Sequence, residues 1–332
     1  MKFITIILKE ENFMKIDRLT HPFMVLVHKE FADNIRSWKF IIMLTLILLS
    51  CFGALYASLS DFSTAVKNSS EDGFFFLKLF THSNGTLPSF LVFIGFLGPL
   101  LGISIGFDAI NAEHSRGTMS RLLAQPIYRD YILNAKFIAA LLLLTVLFVS
   151  MTLLVLGFGL IFIGIPPTAQ EFLRMISFAI VVIIYVAFWL NLSLLFSVKF
   201  RQAATSALAG IAVWLFFSVF YGMIVDLIAK SVYPGQFASR GQIIGFQVFI
   251  HRLQSLNPAQ LFNDAVNTLL LPSVRSTGPI MMEQSNGAIP TPLPLGQSWM
   301  IIWPQLTALL AGTITFFGLA YQLFMKREIR SR

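Results

Sequence analysis

The chain alternates between long apolar runs and short polar connections. Six runs stand out: Phe40–Leu59, Pro88–Ile110, Phe137–Ile163, Ile176–Val198, Ala203–Leu227 and Trp299–Phe324. A helix rising about 1.5 Å per residue crosses about 30 Å of hydrocarbon with roughly 20 mostly apolar residues, so each run predicts a membrane span. No Lys or Arg falls inside them, and the acids Asp108 and Asp226 sit near run ends. The runs are too long for membrane strands and lack two-residue alternation, which disfavours a barrel. Gly95, Gly98, Pro99, Gly102 and Gly106 interrupt the second run and make its boundary the least defined. Breaks of this kind persist in a membrane where neighbouring helices satisfy the freed backbone groups.

The connections divide the chain further. Residues 1–39 form an N-terminal segment in which Leu26–Lys39 reads as a basic, amphipathic elbow helix lying at the membrane surface. The apolar stretch Phe3–Leu8 is too short for a signal peptide and leads into Lys9-Glu10-Glu11 without a small-residue cleavage site. Residues 40–227 hold the first five spans, with a polar connection at 108–136. Residues 228–298 form a long loop on the other side, and 299–332 hold the last span and a basic tail. Within the long loop, Ile243, Phe246, Phe249, Ile250 and Leu253 recur at helical spacing, predicting an amphipathic helix over Gln242–Leu256 that lies on or dips into the membrane. Asn257-Pro258 breaks it, and Ala259–Leu271 predicts a second short helix with Leu261, Phe262, Ala265, Val266 and Leu269 on one side. Pro272–Gly296 is rich in Pro, Gly, Ser and Thr and reads as an extended connector. The fold class is an all-α integral membrane protein with six transmembrane helices, an elbow helix and a long extracytoplasmic loop before the last helix.

Composition excludes the other classes. Of 332 residues, 56% are apolar and 12% charged, and the mean hydropathy is +0.76. Soluble domains carry about 25% charged residues, so this chain could not cover a soluble surface. The single cysteine, Cys51, rules out an intramolecular disulfide or a thiolate metal cluster. The net charge of +8 is unevenly placed: 17 of the 24 Lys and Arg fall in the connections on the side of the termini and 7 on the other side. By the positive-inside rule both termini are cytoplasmic, and the basic balance needs no nucleic acid to explain it.

Catalytic chemistry is absent from the pattern. There is no GxxxxGK[ST] phosphate loop, HExxH or CxxC. The histidines are scattered over both sides. Asp108, Glu113 and His114 lie within seven residues, but metal ligands would be hard to converge from one helix end, and a charged helix terminus is the simpler reading. Asn191, in mid-span, reads as an interhelical hydrogen bond of about 1 kcal/mol. Without buried charge a proton-coupled carrier fits poorly. The energy must come from elsewhere.

The connection Asp108–Lys136 is the informative segment. Gly117 permits a tight turn and Pro126 punctuates the approach to the next helix. Met119, Leu122 and Leu123 form a short apolar face flanked by Arg116, Arg121 and Arg129, a pattern suited to docking in a partner's groove; the alternative is an ordinary solvated turn. Asp108, Glu113, Gly117, Thr118, Leu122, Leu123, Pro126, Ile127, Arg129 and Lys136 together resemble the cytoplasmic loop of ABC-2 type transporter permeases. The stretch His28–Ser37, with Lys29, Glu30 and Arg36, resembles that family's elbow helix. Leu256-Asn257-Pro258 followed by Phe262 is similar to the subgroup of nitrous-oxide-reductase maturation and gliding-motility permeases.

The resemblance implies the membrane subunit of an ATP-driven exporter, not itself an enzyme. A separate cytoplasmic ABC ATPase, binding ATP and Mg, would dock on the loop (Asp108, Glu113, Arg116, Gly117, Thr118, Leu122, Leu123, Pro126, Arg129) and on the elbow (Lys29, Glu30, Arg36). It also implies a second permease chain, most simply in a homodimer in the inner membrane. A second hypothesis is mechanical transmission to an extracytoplasmic protein held by loop 228–298, with little crossing the bundle. The basic tail Lys326–Arg332 suits anionic lipid. No cofactor, catalytic group or metal site is expected in this chain, and the substrate is unreadable from the sequence.

Overall fold

The computed structural model describes residues 22–60, 74–81, 88–119, 124, 127–164, 166–235, 239–272 and 292–326, and among these there is no strand. The elements in chain order are α1 (Pro22–Ile35), α2 (Trp38–Ser60), α3 (Phe75–Thr81), α4 (Phe90–Gly106), α5 (Asn111–Ser115), α6 (Arg129–Ile163), α7 (Ala169–Lys199), α8 (Ala203–Leu215), a π-helical stretch Phe216–Phe220, α9 (Tyr221–Val232), α10 (Arg240–Gln254), α11 (Pro258–Leu270) and α12 (Leu295–Lys326). Six helical stretches are long and apolar enough to cross a membrane: α2, the stretch beginning with α4, α6, α7, α8 continuing through the π stretch into α9, and α12. The protein is an all-α, multi-pass membrane protein. Two spans begin seven or more residues before their apolar runs, α6 at Arg129 and α7 at Ala169. Hydropathy misses these first turns because their polar groups find partners. On α7, the Thr168 hydroxyl accepts from the Glu171 N–H and the Glu171 carboxylate accepts from the Thr168 N–H, a reciprocal cap that starts the helix.

The central helix is α7, against which α4, α6, α8, α11 and α12 all pack. Its contact with α4 rests on glycine. A Cβ on Gly102 would lie 2.8 Å from the Val186 carbonyl oxygen, and one on Gly106 would lie 2.8 Å from that of Leu190. Gly98, Gly102 and Gly106 recur every four residues and so share one helix face, letting two backbones approach as in small-xxx-small membrane pairs. These glycines therefore do not break the second span, as the sequence suggested; α4 runs unbroken through them. Pro99 removes the N–H that would have served the Gly95 carbonyl, and the buried Tyr185 hydroxyl donates there instead at 3.1 Å. Ser193 adds a hydrogen bond to the Ile103 carbonyl at 3.1 Å.

Helices α10 and α11 form a hairpin between the fifth and last spans. Its turn reaches deep into the bundle. The Asn257 side-chain amide donates to the Phe217 carbonyl at 2.9 Å, and Phe217 is near the middle of the span that runs from Ala203 to Val232. Phe262 stacks on Tyr185, halfway along α7, with ring centroids 4.3 Å apart. The buried face of α11 carries Leu261, Phe262, Ala265, Val266 and Leu269.

At the hairpin end of the bundle two charged residues of α7 tie connections together. Glu171, 2% exposed, accepts from the Phe76 N–H at 2.9 Å and so holds the first turn of α3. Arg174 is fully buried and donates to the Leu269 and Leu293 carbonyls and, at 3.2 Å, to the Ser298 hydroxyl. Helix α3, with Phe76, Leu77, Leu79 and Phe80 all buried, was not foreseen. The apolar cluster Phe74–Leu77 with Leu79 and Phe80, interrupted by Lys78, was its only signal.

Candidate functional site

The residues singled out near the elbow and in the 108–136 connection meet at one end of the bundle. Helix α1 starts with Pro22 at its first position, where the missing N–H costs nothing. It lays Phe23, Val27 and Phe31 across Ala135 and Ala139 of α6. That packing sets Glu30, 9% exposed, beside the first turns of α6, where Lys136 is also buried.

Lys136 is the hub. Its Nζ lies 2.8 Å from Glu30 Oε2 and 3.4 Å from Glu113 Oε1. Lys29 Nζ reaches Glu30 at 3.0 Å, Asp33 at 3.1 Å and Glu113 at 3.6 Å. Burial alone would lower the Lys29 pKa, but the carboxylates of Glu30, Asp33 and Glu113 outweigh it and raise the value above the ordinary lysine range. The Thr118 hydroxyl donates to the Glu113 carboxylate. Asp108 pairs with Lys39, whose ammonium also stands over the Phe107 ring at 5.2 Å. Glu30, Asp33, Lys39, Asp108, Glu113 and Lys136 border a cavity of about 150 Å³.

Local backbone geometry presents the connection. The Ser197 hydroxyl of α7 accepts from the N–H groups of Ile110 and Asn111 at 2.9 and 3.3 Å, fixing the entry to α5. Gly117 turns the chain with φ of +66°, a conformation a side chain resists. Arg116 and Gly117 are exposed, as is Arg36 beyond the end of α1. Met119, expected on a docking face, is instead 2% exposed and packs with Ile110, Ile132, Leu133 and Val198 of its own chain. Apolar character alone does not distinguish a face buried by a partner from one buried at home. Arg129 stands over the Phe324 ring at 5.4 Å, so α12 holds it. Leu122, Leu123 and Pro126 lie outside the described residues.

Sequence reasoning treated elbow and connection as two separate contacts; the structure joins them. Lys136 was read as the last residue of the loop motif, opening the next span, and its pairing with Glu30 and Glu113 was not foreseen. A lysine at a span's edge, with two glutamates in neighbouring connections, was the available signal. Ion pairs tie α1, α5 and α6 together. The arrangement offers no activated nucleophile. Among the described residues no group of three or more His, Cys, Asp or Glu could hold a metal ion; Asp108 and Glu113 are engaged by lysines.

Comparison with curated proteins gives no match. A family model described as ABC-2 family transporter protein matches residues 24–329, from the elbow to the end of the last span. With nearly the whole chain under that match, and with six spans and an elbow joined to the connection after the second, the protein belongs to the ABC-2 family of transporter proteins.

Proposed function

We propose that this chain is the permease subunit of an ABC-2 exporter, driven by a separate ATPase docked at the elbow end of the bundle. The observation that carries the reading is the Lys136 junction, which makes elbow, connection and third span one mechanical unit. Arg36, Arg116 and Gly117 are exposed on that unit and are the residues we assign to the ATPase surface. Glu30, Glu113 and Lys136 act behind them by holding the surface together. ATP and Mg belong to the ATPase, and ATP-driven closure of its dimer would shift the docked connections between two arrangements of the bundle.

The positive-inside bias supports placing this end and both termini in the cytoplasm, with the chain in the inner membrane. A second copy of the chain would complete the pathway. The fifth span supports this, since Leu208, Leu215, Phe220, Met223 and Leu227 are exposed along it. Placement in the nitrous-oxide-reductase maturation and gliding-motility subgroup rests on Leu256-Asn257-Pro258 and Phe262. The experiment is co-expression with an ABC ATPase encoded beside the chain, followed by detergent purification through a tag on the permease. Stoichiometric ATPase supports the reading, and its absence from the wild-type preparation sinks it.

A further inference from the structure

The Leu256-Asn257-Pro258 stretch plays no part in ATPase docking, yet the structure gives Asn257 two jobs. Its Oδ1 accepts from the Ala259 N–H at 2.9 Å and starts α11. Its Nδ2 donates to the Phe217 carbonyl at 2.9 Å, inside the π-helical stretch of the fifth span. In that stretch the Tyr221 N–H reaches the carbonyl of Phe216, five residues back, rather than that of Phe217 four back. Such π insertions are uncommon and gather at functional sites. The contact is also returned. The Tyr221 hydroxyl donates to the Leu253 carbonyl, in the last turn of α10, at 2.6 Å. Each element therefore supplies one side-chain donor to a backbone carbonyl of the other, at the middle of the fifth span.

On its other side the turn is loosely packed, with Leu256 66% exposed. Between it, α7 and α12 lies an apolar cavity of about 260 Å³ bordered by Phe188, Phe217, Leu256, Pro258, Leu309 and Phe316. Packing of α11 on α7 and α12 begins just beyond the turn, and at the turn itself the two hydrogen bonds hold it to the fifth span across this gap.

We propose that Asn257 and Tyr221 form a latch holding the α10–α11 hairpin against the fifth span. Its release opens a path from the hairpin end of the bundle to mid-depth. Asn257 is a positioning residue in this scheme: it acts through the π stretch and touches no substrate. The latch rests on the permease reading only for the purpose of the opening.

The test uses the full chain in proteoliposomes, with Cys51→Ser and Leu309→Cys, and a membrane-impermeant thiol reagent applied from the hairpin side. Leu309 is 1% exposed, so the parent labels slowly. Asn257→Asp keeps the acceptor that starts α11 but loses the amide donor to Phe217, while Tyr221→Phe removes a single oxygen. Each raises the labelling rate about fivefold, the effect of losing one hydrogen bond. Asn257→Ala, which loses both roles, is at least as fast. Parent-like labelling of Asn257→Asp and Tyr221→Phe overturns the latch, and acceleration by Asn257→Ala alone would reduce Asn257 to a helix cap. No ATPase is needed, so failure here leaves the permease reading untouched, and loss of that reading leaves the labelling result standing.

Discussion

Lys136 Nζ lies 2.8 Å from Glu30 Oε2, although 106 residues separate the two along the chain. Both side chains are largely buried, at 7% and 12% exposure, and Glu113 stands on the other side of the same ammonium. Removing the cation leaves the two carboxylates with only Lys29, 46% exposed, as a shared counter-charge. Lys136→Met should therefore destabilise the protein by about 2 kcal/mol, below the range for a buried charge left wholly unpaired. Thermal unfolding in detergent measures it. Adding Glu30→Gln and Glu113→Gln to Lys136→Met should recover most of the loss, because no charge is then left buried. A triple variant no more stable than the single one would show that the pairs are incidental.

The glycine contact makes a sharper prediction because it carries its own control. Gly106→Ala places a methyl 2.8 Å from the Leu190 carbonyl oxygen, backbone that cannot rotate away. The expected cost is about 2 kcal/mol, typical of overpacking. Gly222→Ala, in a helix with nothing within 4 Å of the new carbon, should be neutral or stabilising by up to about 1 kcal/mol. Unfolding midpoints of the two variants should move in opposite directions, or only that of Gly106→Ala should fall.

Much of this architecture was legible in the order of apolar and polar residues. Hydropathy located six spans because a membrane demands long uncharged runs, and the pattern Leu261, Phe262, Ala265, Val266, Leu269 matches the buried face of α11. Elements outside that logic were missed. Helix α3 is seven residues long and too short for a periodic signal. Gly102 and Gly106 looked like breaks because a glycine's lack of a side chain has two uses, and only the facing backbone of α7 decides between them. The junction was half visible. Glu30, Glu113 and Lys136 were each in view, but their meeting depends on how α1 crosses α6, which one chain's pattern does not encode.

Arg174 should be the least replaceable charge at the hairpin end. It serves three acceptors drawn from the end of α11, the segment before α12 and α12 itself. A lysine at 174 has one ammonium on a flexible stem and cannot span them. Arg174→Lys should cost about 2 kcal/mol through acceptors left unsatisfied, and Arg174→Ala more. Equal stability of the lysine variant and the parent would show that charge, not geometry, is what the site requires.

Asn191 makes the opposite case. It is fully buried, yet its Oδ1 has no hydrogen-bond partner and its Nδ2 reaches the Thr313 carbonyl only at 3.4 Å. A half-satisfied amide contributes little, so Asn191→Ala should shift stability by less than about 1 kcal/mol. Thermal unfolding beside Gly106→Ala puts both on one scale.

If the joined elbow and connection form the surface on which an ATPase works, exposed positions there lie within reach of the bound ATPase. Site-directed cross-linking tests it most directly, with a photoreactive group carried on Arg116→Cys or on Arg36→Cys in the Cys51→Ser background, in membranes that also contain the co-expressed ATPase. Both positions are exposed at the junction, and Tyr233→Cys, 58% exposed at the other end of the fifth span, is the control. An ATPase adduct is expected from positions 116 and 36, with a yield that changes when ATP is added, and none from 233. An adduct from 233, or none from either junction position, would contradict it.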